Sequence, residues 1–127
     1  MKRKATDSYT KLPFEKYKKH KIKAIKKIAD YFNDGNIYSI YDMMAGVGIY
    51  CDTLLSVVNV SKYIMNDLNI ECIEVLKSKY EYQITQRDAW NIGLLFPVDI
   101  VLFDCNNFTL NKPDFKNLKG WIEFNKN

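Results

Sequence analysis

A strand, a glycine turn and a helix start, compressed into residues 37–52, dictate the architecture open to this chain. The stretch reads Ile-Tyr-Ser-Ile-Tyr-Asp-Met-Met-Ala-Gly-Val-Gly-Ile-Tyr-Cys-Asp. The β-prone run Ile37 to Tyr41 meets Asp42, the small residues Ala45, Gly46 and Gly48 follow, and apolar residues at helical spacing resume at Ile49. Gly46 and Gly48 lack a Cβ, so the backbone there can take positive φ and a ligand can lie against it, facing the free N–H groups of the helix start. A turn of this kind either cradles a nucleotide-like molecule or only lets helix and strand pack closely. A Walker-type phosphate loop is excluded, because no Gly-Lys-Ser/Thr follows the turn.

The alternation then repeats. Ile49 to Val58 continues as a helix with Leu54, Leu55 and Val58 on its apolar side, Tyr63-Ile64-Met65 is a second strand, and Ile70, Ile73, Val75 and Leu76 mark the helix after it. Tyr82 to Thr85 is a third strand, and Val98 to Phe103 a fourth, whose unbroken apolar run predicts burial on both faces. Such an order predicts an α/β fold with a doubly wound, mostly parallel sheet. Each strand runs into an acidic residue: Asp42, Asp67, Asp88 and Asp104. Ligands of open parallel sheets sit outside the carboxyl ends of the strands, so these four side chains are expected around one crevice. Singly, each aspartate serves equally well as a helix cap or turn residue. Four like charges on one edge repel one another unless a ligand with hydroxyls and positive charge offsets them. Asp67 lies 21 residues beyond Gly46, where an acidic group accepts hydrogen bonds from ribose hydroxyls. A nicotinamide dinucleotide fits less well, since it wants a third small residue at position 51, which is Cys51, and a carboxylate near a pyrophosphate is unfavourable.

The segment in front of this core has the opposite charge. Residues 1–33 hold eleven lysines and arginines against Asp7, Glu15 and Asp30, a local charge of +8; within a total of +4, the remaining residues therefore sum to −4. Residues 1–12 read as a polar basic tail. From Pro13, suited to a first helical turn, Phe14, Tyr17, Ile25, Ile28 and Phe32 recur at helical spacing with Ile22 and Ala29 beside them. Lysines cover the rest of that helix, which Asn33-Asp34-Gly35-Asn36 ends. The basic face is either the solvated outside of a packing helix or a surface for a phosphate backbone, with Lys18, Lys19, Lys23 and Lys26 as the candidate nucleic-acid contacts. Cys51, Cys72 and Cys105 lack metal-ligand spacing and His20 is the single histidine, so neither a metal nor a disulfide framework is expected. The absence of a signal peptide, and of any apolar run of about 18 residues, predicts an intracellular, cytoplasmic chain without a membrane span.

Asp42-Met-Met-Ala45-Gly46-Val-Gly48 and Asn66-Asp67-Leu68-Asn69 resemble the first two motifs of the class I S-adenosylmethionine-dependent methyltransferases. The second motif is similar in form to that of RNA-modifying members related to the tRNA guanine-N1 methyltransferases. Asp88-Ala89 resembles the third motif, and Asp104 stands where the fourth, catalytic motif belongs. The resemblance covers about residues 37–108 and implies a Rossmann-like fold with S-adenosylmethionine as cofactor. By that resemblance Gly46 and Gly48, with Ala45 in the same turn, pass beneath the methionine part of the cofactor. Asp42 helps to hold its ammonium group, Asp67 binds the ribose hydroxyls, Leu68 packs on the adenine, Asp88 accepts the adenine amino group, and Ala89 offers a backbone contact. The physics agrees, because the cofactor is a cationic sulfonium and a mouth rich in carboxylates attracts it.

The chain departs from the family pattern after the fourth strand. Exocyclic-amine methyltransferases carry Asp/Asn-Pro-Pro and an aromatic residue there; this chain has Asp104-Cys105-Asn106-Asn107-Phe108. Asp104, Asn107 and Phe108 are the candidate catalytic residues, with Asn107 as amide acceptor and Phe108 as stacking ring. Cys105 stands near the cysteine nucleophile of cytosine-C5 enzymes but lacks their preceding proline, and reads as a small buried hydrophobe. The family fold continues to a fifth strand and an antiparallel pair, whereas residues 109–127 hold one helix or one short strand around Trp121-Ile122-Glu123-Phe124. The expectation is one S-adenosylmethionine-binding domain over residues 13–127, with a basic helix at 13–33, a cofactor core at 37–108 and a tail at 109–127. It is read as a short or truncated methyltransferase core acting on nucleic acid, RNA ahead of DNA. The alternative is a non-catalytic cofactor-binding module, and either form leaves room for a homo-oligomer or a partner subunit to complete the sheet.

Overall fold

The computed structural model describes residues 12–88 and 97–103, with Lys119, Ile122 and Glu123; for residues 12–17 it describes the backbone alone. The chain runs α1 (Leu12–Phe32), β1 (Ile37–Asp42), α2 (Ile49–Leu55), β2 (Asn59–Asn66), α3 (Ile70–Lys79), β3 (Gln83–Thr85) and β4 (Ile100–Leu102). The four strands form one parallel sheet in the order β3-β2-β1-β4. The chain thus steps outward from β1 through β2 to β3, then returns to the other side of β1. That reversal, between β1 and β4, is the place where a doubly wound sheet opens a crevice at its carboxyl edge.

β1 is central and its residues explain why. Ile40 is fully buried in the core beneath the helices, while Tyr41 turns to the opposite face with Met43 and Ile64, as the two-residue period of a strand requires. Burying a side chain such as Ile40 or Leu54 stabilises the fold by about 2 kcal/mol. α1 packs against α2, and Ile25 and Ala29, one helical turn apart, are its buried contacts. Ile28 lies off that line and is 40% exposed, so the apolar stripe of this helix is narrower than its spacing suggests.

Two boundaries differ from the sequence reading for local reasons. α2 stops at Leu55, because the N–H groups of Val57 and Val58 both turn back to the Leu54 carbonyl, at 3.1 and 2.8 Å, and the chain passes at once into β2. β2 therefore begins at Asn59, ahead of Tyr63. In β4, Ile100 and Leu102 are buried beside β1 but Val101 keeps 37% of its surface exposed, so burial on both faces does not hold for this strand. Its start is fixed by a clip in which Ser39 N–H and Oγ–H both donate to Asp99 Oδ2, at 2.8 and 3.1 Å, and Asp99 N–H returns to the Ser39 carbonyl at 3.1 Å. No described helix is long and apolar enough to cross a membrane.

Candidate functional site

The turn after β1 crosses the carboxyl edge of the sheet in a conformation that only glycine takes without strain. Gly46 has φ 59° and Gly48 φ 92°. The turn is pinned at both ends: Met43 N–H donates to the Leu102 carbonyl of β4 at 3.1 Å, and Ala45 N–H to the Asn66 carbonyl at the end of β2 at 2.8 Å. Between them the Gly46 N–H donates to Asp67 Oδ2 at 2.9 Å. The other oxygen of Asp67 accepts the Asn69 N–H at 2.9 Å, in a local turn that leads into α3. Asn69 then caps α3, its side-chain oxygen accepting the N–H groups of Glu71 and Cys72 at 2.9 and 3.4 Å. The sequence Asn66-Asp67-Leu68-Asn69 thus carries three separate jobs: strand end, the carboxylate that holds the Gly46 N–H, and helix cap.

Two tyrosine–carboxylate pairs support the turn, one buried and one at the surface. Asp42, only 1% exposed, accepts a hydrogen bond from Tyr63 Oη at 2.9 Å. Burial and the adjacent Asp42 charge push the Tyr63 hydroxyl far above its usual range, so it stays a donor. Tyr80, just beyond α3, donates to Asp52 Oδ1 at 2.6 Å and lies 3.2 Å from the Gly48 carbonyl oxygen. Its hydroxyl is likewise raised, by burial first and by the Asp52 hydrogen bond second. Lys79 Nζ donates to the Val47 carbonyl at 3.3 Å. Two consecutive residues, the last of α3 and the one that follows it, thereby hold two consecutive carbonyls of the glycine turn, and a Cβ on Gly48 would run into the Tyr80 ring. Cys51 is fully buried with its thiol pushed up to about 12 by burial, which makes it a packing residue rather than a nucleophile.

The expected site residues are thus distributed unevenly. Ala45, Gly46, Gly48 and Asp67 come together at the turn; Asp42 lies beneath it, in the core; Leu68, 66% exposed, and Asp88, also exposed, stand on the solvent side. Ala89, Asp104, Cys105, Asn107 and Phe108 lie outside the described residues. On α1, Lys19, Lys23 and Lys26 are exposed and Lys18 is half-buried, while Lys21 sits over the Tyr50 ring at 5.2 Å. Sequence reasoning assigned no role to Asn66, Tyr63 or Tyr80. Asn66 was marked only as the first residue of the motif Asn66-Asp67-Leu68-Asn69. Among the described residues no group of three or more His, Cys, Asp or Glu side chains is placed to hold a metal ion.

The fold recurs in solved structures. Trm5b from Pyrococcus abyssi superposes over 80% of this chain with a TM-score of 0.59 and 17% identity. The fold is that of the class I methyltransferases. A Pyrococcus horikoshii protein assigned as an RNA methyltransferase matches 82% of the chain with a TM-score of 0.62 and 18% identity. A Listeria monocytogenes protein assigned to the class I S-adenosylmethionine-dependent methyltransferases matches 84% with a TM-score of 0.53 and 15% identity. The matched part spans 29%, 54% and 36% of those three proteins respectively. No family model and no curated protein matches the sequence.

Proposed function

We propose that this methyltransferase-fold chain binds S-adenosylmethionine at the β1–α2 turn and serves methyl transfer to a nucleic acid. The observation that carries the reading is the 2.9 Å hydrogen bond from the Gly46 N–H to the Asp67 carboxylate. In a dinucleotide site that amide would face a pyrophosphate; here a negative side chain already takes it, and a second negative group would be repelled. A ligand offering ribose hydroxyls and carrying positive charge meets acceptors instead, since each oxygen of Asp67 retains a lone pair beyond its backbone partner. The residues fit that cofactor. Gly46 would pass beneath its methionine part, while Gly48 makes room for the Tyr80 ring that braces the turn; Asp67 would take the ribose hydroxyls, Leu68 offers an exposed apolar surface to the adenine, and Asp88, with Ala89, would take the adenine edge. Asp42, buried under the turn, contributes negative potential toward the ammonium group.

When bound, the cofactor supplies a methyl group activated on a sulfonium. The chain's own part is to hold that group in line with an acceptor, which Asp104, Asn107 and Phe108 would orient. RNA is favoured as acceptor by the assignment of the P. horikoshii neighbour and by the exposed lysines of α1. Neutralising Lys18, Lys19, Lys23 and Lys26 together should flatten the salt dependence of RNA binding by about 0.7 in log–log slope for each phosphate that these lysines neutralise. Unchanged binding would remove the helix from the interface. Calorimetric titration with S-adenosylhomocysteine and with NAD tests the cofactor: the first should bind at about micromolar Kd and the second not measurably. The reverse preference would reject the reading.

A second reading, favoured by the chain's matching only 29%, 54% and 36% of the length of those three proteins, keeps the cofactor site without the acceptor site. The chain would then be a cofactor-binding module that a partner subunit or a second copy completes. Sedimentation separates the two: a monomer that methylates RNA supports the enzyme, whereas an inactive monomer that binds S-adenosylhomocysteine supports the module.

A further inference from the structure

Asn66 ends β2 with no exposed surface, and all four hydrogen-bonding positions of its side-chain amide are used. Nδ2 donates to the carbonyls of Met43 at 3.1 Å and Arg87 at 2.9 Å. Oδ1 accepts from Thr85 Oγ1 at 2.7 Å and from the Arg87 N–H at 3.2 Å. Its own backbone carbonyl takes the Ala45 N–H at 2.8 Å. One residue therefore grips the glycine turn through main chain and side chain, and clasps Arg87 through both its N–H and its carbonyl. Its neighbour in sequence is Asp67, and the neighbour of Arg87 is Asp88. We propose that Asn66 is the positioning residue of the cofactor edge, setting the distance between the glycine turn, the ribose carboxylate Asp67 and the adenine carboxylate Asp88. This assignment rests on the S-adenosylmethionine reading above.

The physical argument is that a buried amide network holds one arrangement only while every member is satisfied. An apolar residue at position 66 would strand the Met43 and Arg87 carbonyls. An aspartate there keeps the shape and both acceptor contacts but, when ionised, has no hydrogen to give either carbonyl. Facing two carbonyl oxygens inside the core, that carboxyl would also resist ionisation, and protonation would return one donor. The loss is therefore partly reversible by pH, which a loss of packing is not.

The test is calorimetric titration of Asn66→Asp and the native chain with S-adenosylhomocysteine and with 5′-methylthioadenosine, its adenosine half. Titrations at about pH 8 and about pH 6, well below the Tm of each protein, separate binding from stability. At the higher pH the variant should bind both ligands at least about tenfold more weakly, because ribose and adenine contacts are both displaced. At the lower pH its deficit relative to the native chain should shrink by about threefold or more as the introduced carboxyl regains a proton. Thr85→Val removes one hydrogen bond to Oδ1 at constant shape; it should weaken both ligands about threefold without recovery at low pH, and it carries the test if Asn66→Asp does not fold. A residue with a merely structural role would lower Tm and leave Kd within about twofold of native for both variants, and that result overturns the assignment. Failure of the native chain to bind either ligand would instead overturn the S-adenosylmethionine reading, and the assignment with it.

Discussion

Among the described residues two turns depend on left-handed glycines, and they differ in everything else. Gly35, with φ 85°, reverses the chain between α1 and β1; a Cβ there would meet nothing within 4 Å. The turn is held locally, by the Asn36 N–H donating to Asp34 Oδ1 at 3.0 Å and by Tyr38 Oη donating to Asp34 Oδ2 at 2.5 Å. Gly48, with φ 92°, sits in a turn held by residues far away in sequence: Asn66, Asp67, Lys79, Tyr80 and Leu102. A connecting turn needs only a permissive backbone. The second turn, proposed above to carry the cofactor, is held fixed by the ends of β2, β4 and α3.

Gly48→Ala should break the second turn most severely, by about 3 kcal/mol, since it combines left-handed strain with displacement of the Tyr80 ring and its hydrogen bonds. Denaturant unfolding measures this directly, and a cost no greater than that of Gly35→Ala would erase the distinction. Next in size is Tyr63→Phe, which strips a donor from the buried Asp42 carboxylate and should cost about 2 kcal/mol in the same assay. Alkaline pH probes the burial of the core as a whole. Burial raises Tyr41 from 10.0 to about 12, and Cys51 and Cys72 from 9.0 to about 12. The unfolded chain sheds these protons first, so their contribution is intact below pH 9.0 and is lost as pH climbs toward 12. Thermal melts should therefore show a Tm that holds steady between neutral pH and about 8.5 with respect to these groups and falls above it. A Tm that rises across that alkaline range would contradict their burial. Gly35→Ala is the smallest effect, about 1 kcal/mol from backbone strain alone. A loss as large as that of Gly48→Ala would mean that the Gly35 turn carries a constraint of its own.

The parallel sheet was legible because its signals are local: β-prone runs separated by helical spacing, with Ala45-Gly46-Val47-Gly48 marking the turn. Gly46 and Asp67 were legible as a pair because each stands at a strand end, and the structure joins them by a hydrogen bond. Tyr63 and Tyr80 were not. An aromatic in a strand or after a helix looks like ordinary core, and only the folded chain brings their hydroxyls to Asp42 and Asp52. Asn66 is the clearest case, since its partners Met43, just after β1, and Thr85 and Arg87, at and just beyond the end of β3, come from two segments that only sheet pairing assembles.

The central claim is that the Asp67 carboxylate and the Gly46 turn form one cofactor edge. Titration of S-adenosylhomocysteine into the native chain and into Asp67→Ala, with Tm measured for both, tests it most directly. Removal of that carboxylate should weaken binding by about tenfold or more in a protein that remains folded at the titration temperature. Equal affinity in the two proteins would show that the ligand does not use this edge.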